Sequence, residues 1–184
     1  MLFKPFVLIA VALSAFQAQA APTDPSIHRD LMKVSEQASG FNVAVKAVPG
    51  PGDMSKKIAE IHKGFRRLTS ATKKTSKDIQ KFQDTIFSDP DQEKISNSWT
   101  HIAQSEVDTL RQLLSMEQML LSGKAGPKRA KMILQDLSRL QDASGTLANA
   151  IIARSQPSHR PALTAAKKQL DDQFARTSNF GSPK

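Results

Sequence analysis

Cysteine is absent from all 184 residues, so no disulfide, thiolate nucleophile or zinc–thiolate site is open to this chain. Stability has to come from packing alone. Tyrosine is absent too, and one tryptophan accompanies nine phenylalanines. Without aromatics alternating with cations there is no stacking platform for single-stranded nucleic acid, and no recognised DNA- or RNA-binding motif occurs. The four histidines, His28, His62, His101 and His159, lie on separate segments and never take the His-Glu-x-x-His spacing. No Gly-x-Ser-x-Gly elbow is present, and Gly50 and Gly52 sit in a proline-rich turn rather than a strand-to-helix phosphate loop. These absences argue for a protein that is not an enzyme, with no cofactor, no metal and no nucleic-acid partner.

Acidic residues are also in short supply, 17 against 26 lysines and arginines, a formal net charge of +9. Such a balance favours anionic partners in general: acidic polysaccharide, anionic lipid or nucleic acid. Long hydrophobic runs are confined to the N-terminus. There Lys4 precedes an apolar stretch and then Ala18-Gln19-Ala20, a pattern that fits a signal peptide over residues 1–20 cleaved after Ala20. The competing reading, an uncleaved membrane anchor, is hampered by a stretch only marginally long for a span of ~20 residues. The closing stretch RTSNFGSPK (176–184) lacks the hydrophobic tail of a lipid-anchor signal. The expectation is a secreted, extracellular protein with no membrane span in its mature chain.

The rest of the chain is punctuated into about five amphipathic helices. Asp24-Pro25 opens the first, with Asp24 as cap, and Ile27, Leu31, Val34, Ala38, Phe41, Val45 and Val48 trace one face before Pro49–Gly52 stops it. Asp53 caps a second, carrying Ile58, Ile61, Phe65, Leu68, Thr72, Thr75, Ile79, Phe82 and Ile86 alternately three and four residues apart, to about Phe87. Gly64 and the hydroxyl-rich stretch after it are places for a bend. Asp89, Pro90 and Gln92 form a capping signature for a third, whose inward side includes Ile95, Trp99, Ile102, Leu110, Leu113 and Leu120. Pro127 starts a fourth with Ile133, Leu137, Leu140, Ser144, Leu147 and Ile151, and Pro161 a short last one. No window alternates with period two. The fold class is all-α: an up-and-down bundle with antiparallel neighbours, a single domain over residues 21–176 with a flexible tail at 177–184.

Three features could carry function. The middle of the second seam is threonine: Thr72 and Thr75 either bond back to carbonyls one turn earlier or orient a polar group in an apolar pocket. Lys56, Lys63, Arg67, Lys74 and Lys81 recur along the same helix; they are either a solvated outer face or a contact for an anionic surface. The segment Leu110–Gly123 spreads Leu113, Leu114, Met116, Met119, Leu120 and Leu121 over an arc wider than one core-facing stripe, with Glu117 inside it. That suits a central helix packed on two sides, a flexible cavity wall, or an exposed greasy patch. Glu117 lies near a ligand headgroup or escapes to solvent.

Three stretches, FNVAVKAVPG (41–50), LQDASGTLANAIIARSQP (140–157) and LDDQFARTSNF (170–180), resemble the fungal hydrophobic surface-binding protein A family, which includes cell-wall galactomannoproteins. The likeness runs through nearly the whole mature chain in order and spacing. It implies a secreted helical bundle that adsorbs to hydrophobic surfaces or holds a fatty acid or other lipid in its core, and in some members recruits a secreted enzyme. The residues taken as lining such a cavity are Phe41, Ile61, Phe65, Leu68, Thr72, Thr75, Ile79, Phe82, Leu110, Leu113, Leu137 and Leu140. The alternative is a cationic interaction protein, bound to cell-wall polysaccharide or a membrane through the basic helix.

Overall fold

A computed structural model describes residues 23–82 and 86–181; the expected leader lies outside the described residues. Helix α1 spans Asp24–Lys46, α2 Met54–Gln80, α3 Asp89–Ser115, α4 Glu117–Leu120, α5 Gly126–Arg154 and α6 Arg160–Thr177. The described residues contain no strand. The all-α bundle is as expected, and α4 is a single extra turn.

Local chemistry explains most helix ends. Asp53 caps α2 by accepting the Ser55 N–H at 2.8 Å. The cap of α1 is Thr23 rather than Asp24: the Thr23 N–H donates to Ser26 Oγ at 2.9 Å, and Asp24 sits in the first turn beside Pro25. The carboxylate of Asp24 is used elsewhere, accepting the Ser88 N–H at 2.7 Å. Likewise the cap of α3 is Ser88, not Asp89. Gln92 closes no capping box; it is buried, donates to Ser96 Oγ (2.8 Å) and Ser155 Oγ (3.2 Å), and accepts the Gln156 N–H at 2.9 Å. It ties the first turn of α3 to the α5–α6 connection.

Helix α2 stops at Gln80, short of Phe87, and Gly64 does not break it. A Cβ added to Gly64 would lie 2.9 Å from Phe41 Cδ2 and 3.3 Å from Phe41 Cα. The glycine lets α1 and α2 approach closely. The helix expected to run from Asp89 to Gly123 breaks at Met116. The wide apolar arc is therefore no single helix face. Leu113, Met116 and Leu120 are buried, Leu114 and Leu121 pack against the core, and Met119 is 41% exposed. Glu117 accepts the Gly181 N–H at 2.5 Å.

The long helices form a five-membered ring in the order α1, α2, α5, α6, α3 and back to α1. Successive long helices alternate in direction, but neighbours in space are often parallel. Asp24–Ser88 and Ser35–His101 contacts run α1 alongside α3 in the same sense. His62–Asp136 and Gln80–Arg154 contacts do the same for α2 and α5. The expectation of antiparallel neighbours thus holds for α1 with α2 and α5 with α6, while α2 and α3 separate. Their connection is the reason. The Phe82 and Phe87 rings lie 5.4 Å apart, the Phe87 N–H donates to Arg154 O at 2.9 Å, and the chain crosses the bundle end to set α3 beside α1.

The opposite end is closed by α4 and by residues expected in a tail. Thr177 and Phe180 are each 1% exposed, and the Phe180 N–H bonds Thr177 O at 3.0 Å. Ordered chain therefore runs past residue 176, because Phe180 has apolar surface to bury; residues 182–184 lie outside the described residues.

Candidate ligand-binding core

Every apolar residue taken as cavity lining belongs to one buried cluster. Phe41 comes from α1; Ile61, Phe65, Leu68 and Ile79 from α2; Phe82 from the connection; Leu110 and Leu113 from α3; Leu137 and Leu140 from α5. The three-four rhythm places each set on the inward side of its helix. Phe41 and Phe65 meet with ring centroids 4.3 Å apart, tilted by 47°. The chain thus gathers its apolar seams around a single axis.

Thr72 and Thr75 are buried in the same interior, with their hydroxyls committed to backbone. Thr72 Oγ1 donates to Leu68 O at 2.8 Å and Thr75 Oγ1 to Asp30 O at 3.5 Å. Thr72 is thus back-bonded one turn earlier on its own helix, whereas Thr75 reaches across to α1, and both bonds leave the seam's hydroxyls little to offer a ligand.

Among the interior polar groups that escaped the sequence reading, Glu106 stands out. Glu106 on α3 is 1% exposed. Its Oε2 accepts the Ser144 hydroxyl of α5 at 2.9 Å, and its Oε1 has no hydrogen-bond partner. Burial pushes the carboxyl up to about 8, against the lowering effect of the Ser144 hydrogen bond. The signal was present: Trp99, Ile102, Glu106, Leu110 and Leu113 keep the three-four spacing, so a carboxylate fell where the rhythm demanded an apolar residue.

Clefts lie in the grooves between helices. One of about 710 Å³ runs along α5 beneath the chain end, lined by Pro127, Ala130, Leu134, Arg139 and Phe180. Another of about 250 Å³ separates α2 from α5, with Lys73, Ser76 and Lys77 on one wall and Asp142 and Thr146 on the other. Lys56, Lys63, Arg67 and Lys74 are exposed on α2, and Lys81 is exposed at its C-cap. Lys63 pairs with Glu60 at 3.4 Å, and Lys74 with Asp78 at 3.0 Å and Asp30 at 3.5 Å. The hydrogen bond that Lys74 donates to Asp78 is the largest influence raising the Lys74 pKa. Burial would raise the Asp30 pKa, but Lys33 and Lys74 outweigh it and hold the carboxyl below its ordinary value. No group of side chains among the described residues could hold a metal ion, and no helix among them is long and apolar enough to cross a membrane.

Solved structures share this architecture. AFMP4P in complex with palmitic acid matches with a TM-score of 0.71 at 14% identity, over 86% of this chain and 99% of that one. Ligand-binding domain 1 of the Penicillium marneffei MP1 protein, complexed with arachidonic acids, matches with 0.71 at 13% identity, over 87% and 99%. Domain 2 of the same protein, complexed with multiple arachidonic acids, matches with 0.70 at 12% identity, over 90% and 100%. At such identities the likeness is one of fold. No curated protein matches the sequence. The model for hydrophobic surface binding protein A matches residues 25–153, from the first turn of α1 to the last of α5, and this chain belongs to that family.

Proposed function

We propose that the protein is a secreted, non-enzymatic binder of fatty acids, or of hydrophobic surfaces, acting through the apolar faces of its helices. The observation that carries the reading is the arrangement of those faces: five helices turn one continuous apolar cluster inward around a shared axis. The same fold occurs in proteins solved with palmitic and arachidonic acids. Each methylene buried between the helices contributes ~0.8 kcal/mol before ordering costs. Binding then needs no catalytic group.

The test is titration of the mature protein with a fluorescent fatty acid at low and high salt, with displacement by unlabelled fatty acid. Saturable, near-stoichiometric and salt-insensitive binding supports the reading, and absence of saturation overturns it. A second reading places function on the exposed cations of α2, as adhesion to cell-wall polysaccharide or an anionic membrane, or recruitment of a secreted enzyme. It is favoured by the basic surface around His62, Lys63, Arg66 and Arg67. Its signature is binding that weakens as ionic strength rises.

A further inference from the structure

The interior of the ring holds a polar pair with unused capacity. Glu106 and Ser144 belong to α3 and α5, helices that are separated in the ring by α6; their hydrogen bond crosses the interior. One turn to either side stand Ile102 and Leu110 on α3, and Leu140 and Leu147 on α5, all buried. Placing a carboxyl among such residues is costly unless both oxygens are satisfied. Only Oε2 is. Trp99 Nε1, two turns along α3, is also buried without a partner and makes no hydrogen bond to it.

We propose that Glu106, held by Ser144, is the headgroup-recognising residue of an acyl-chain site, and that it bonds the carboxyl of a free fatty acid. This rests on the fatty-acid reading above and names the residue pair that would confer selectivity within it. Burial keeps Glu106 protonated at neutral pH, and Ser144 alone opposes that effect. No charged side chain on α1, α5 or α6 contributes. With Oε2 accepting from Ser144, the acid proton falls to Oε1, which becomes an uncommitted O–H donor facing apolar surroundings. The acceptor it suits best is a carboxylate oxygen, since an O–H donating to a charged oxygen makes a stronger bond than one donating to a neutral ester. One proton shared between two carboxyls also spares the core a second negative charge. An apolar core could be more stable without this group; its presence is explained by a ligand that uses it.

Equilibrium dialysis of palmitic acid and methyl palmitate at pH 6.5 tests this, with wild type, Glu106→Leu, Glu106→Gln and Ser144→Ala, alongside thermal unfolding of each. Wild type should prefer the acid over the ester by about tenfold. Glu106→Leu should lose about that factor for the acid, bind the ester unchanged, and unfold no lower than wild type, because it removes an unsatisfied buried oxygen. Glu106→Gln keeps a donor and should retain most of the preference, and Ser144→Ala should weaken it. Equal binding of acid and ester by wild type overturns the Glu106 assignment and leaves fatty-acid binding standing. So does an acid affinity untouched in Glu106→Leu. If wild type binds neither probe, both readings fall. Should Glu106→Leu not fold, the wild-type preference and the other two variants decide.

Discussion

Gly64 of α2 lies so close to Phe41 of α1 that an added Cβ would stand 2.9 Å from the ring and 3.3 Å from Phe41 Cα. Gly40, also helical, has nothing within 4 Å of an added Cβ. These two glycines should answer oppositely to the same substitution. Gly40→Ala gains helix propensity without cost and should stabilise the protein by about 0.5–1 kcal/mol. Gly64→Ala gains the same but pushes backbone away from backbone, and should lose about 1–2 kcal/mol net. Urea unfolding of the pair, compared by midpoint at constant slope, checks it.

Glu106 makes stability depend on pH in an unusual direction. Its pKa rises from 4.5 to about 8 on folding, so the folded state holds the extra proton between those values. Its contribution is complete below about 4.5 and is lost as pH rises towards 8, by on the order of 5 kcal/mol. Asp30 works the other way: its lowered pKa contributes stability above its ordinary 3.8 that is lost as pH falls further. Stability should therefore peak on the acidic side of neutrality and decline between pH 5 and 8. In Glu106→Gln that decline should vanish, read by thermal unfolding in steps of pH.

Most of the helices could be read from the sequence because the three-four rhythm is local, and so is the punctuation by Pro49–Gly52, Pro127 and Pro161. What could not be read depends on partners distant in the chain. Asp24 and Gln92 look like caps by position, but tertiary contacts with Ser88, Ser155 and Gln156 claim them instead. Neighbouring helices were expected to be antiparallel because loops are short; the Phe87–Arg154 bond that carries the chain across the ring is not visible in either segment alone. The apolar seams of the candidate site were legible through their spacing. Glu106 was not, although its position on the seam of α3 was, because only the fold shows that no escape to solvent exists there.

The chain end should prove structural. Phe180 is 1% exposed, and the Gly181 N–H is held by Glu117 at 2.5 Å. A Cβ on Gly181, whose φ is +80°, would lie 2.7 Å from Ala130 Cβ. Phe180→Ala should cost about 3 kcal/mol, and truncation after Thr177 at least as much. Wild-type stability in both would show that Phe180 contributes little to the end of the bundle.

The apolar seam itself can be tested by filling it. Phe65 and Leu113 stand on α2 and α3, the two helices that flank α1 in the ring, and both are fully buried. If the interior admits an acyl chain, Phe65→Trp and Leu113→Trp should each take up space that the ligand needs and reduce the number of fatty-acid molecules bound at saturation. The same substitutions should cost about 1–3 kcal/mol of stability through overpacking, so capacity must be measured where each variant is fully folded by circular dichroism. Unchanged capacity in both folded variants would mean that lipid is held on the outer surface, in the grooves between helices or on the exposed apolar side chains such as Met119. Reduced capacity with unchanged salt dependence would place the acyl chain inside, among the side chains that the three-four spacing of α2 and α3 turns towards the axis.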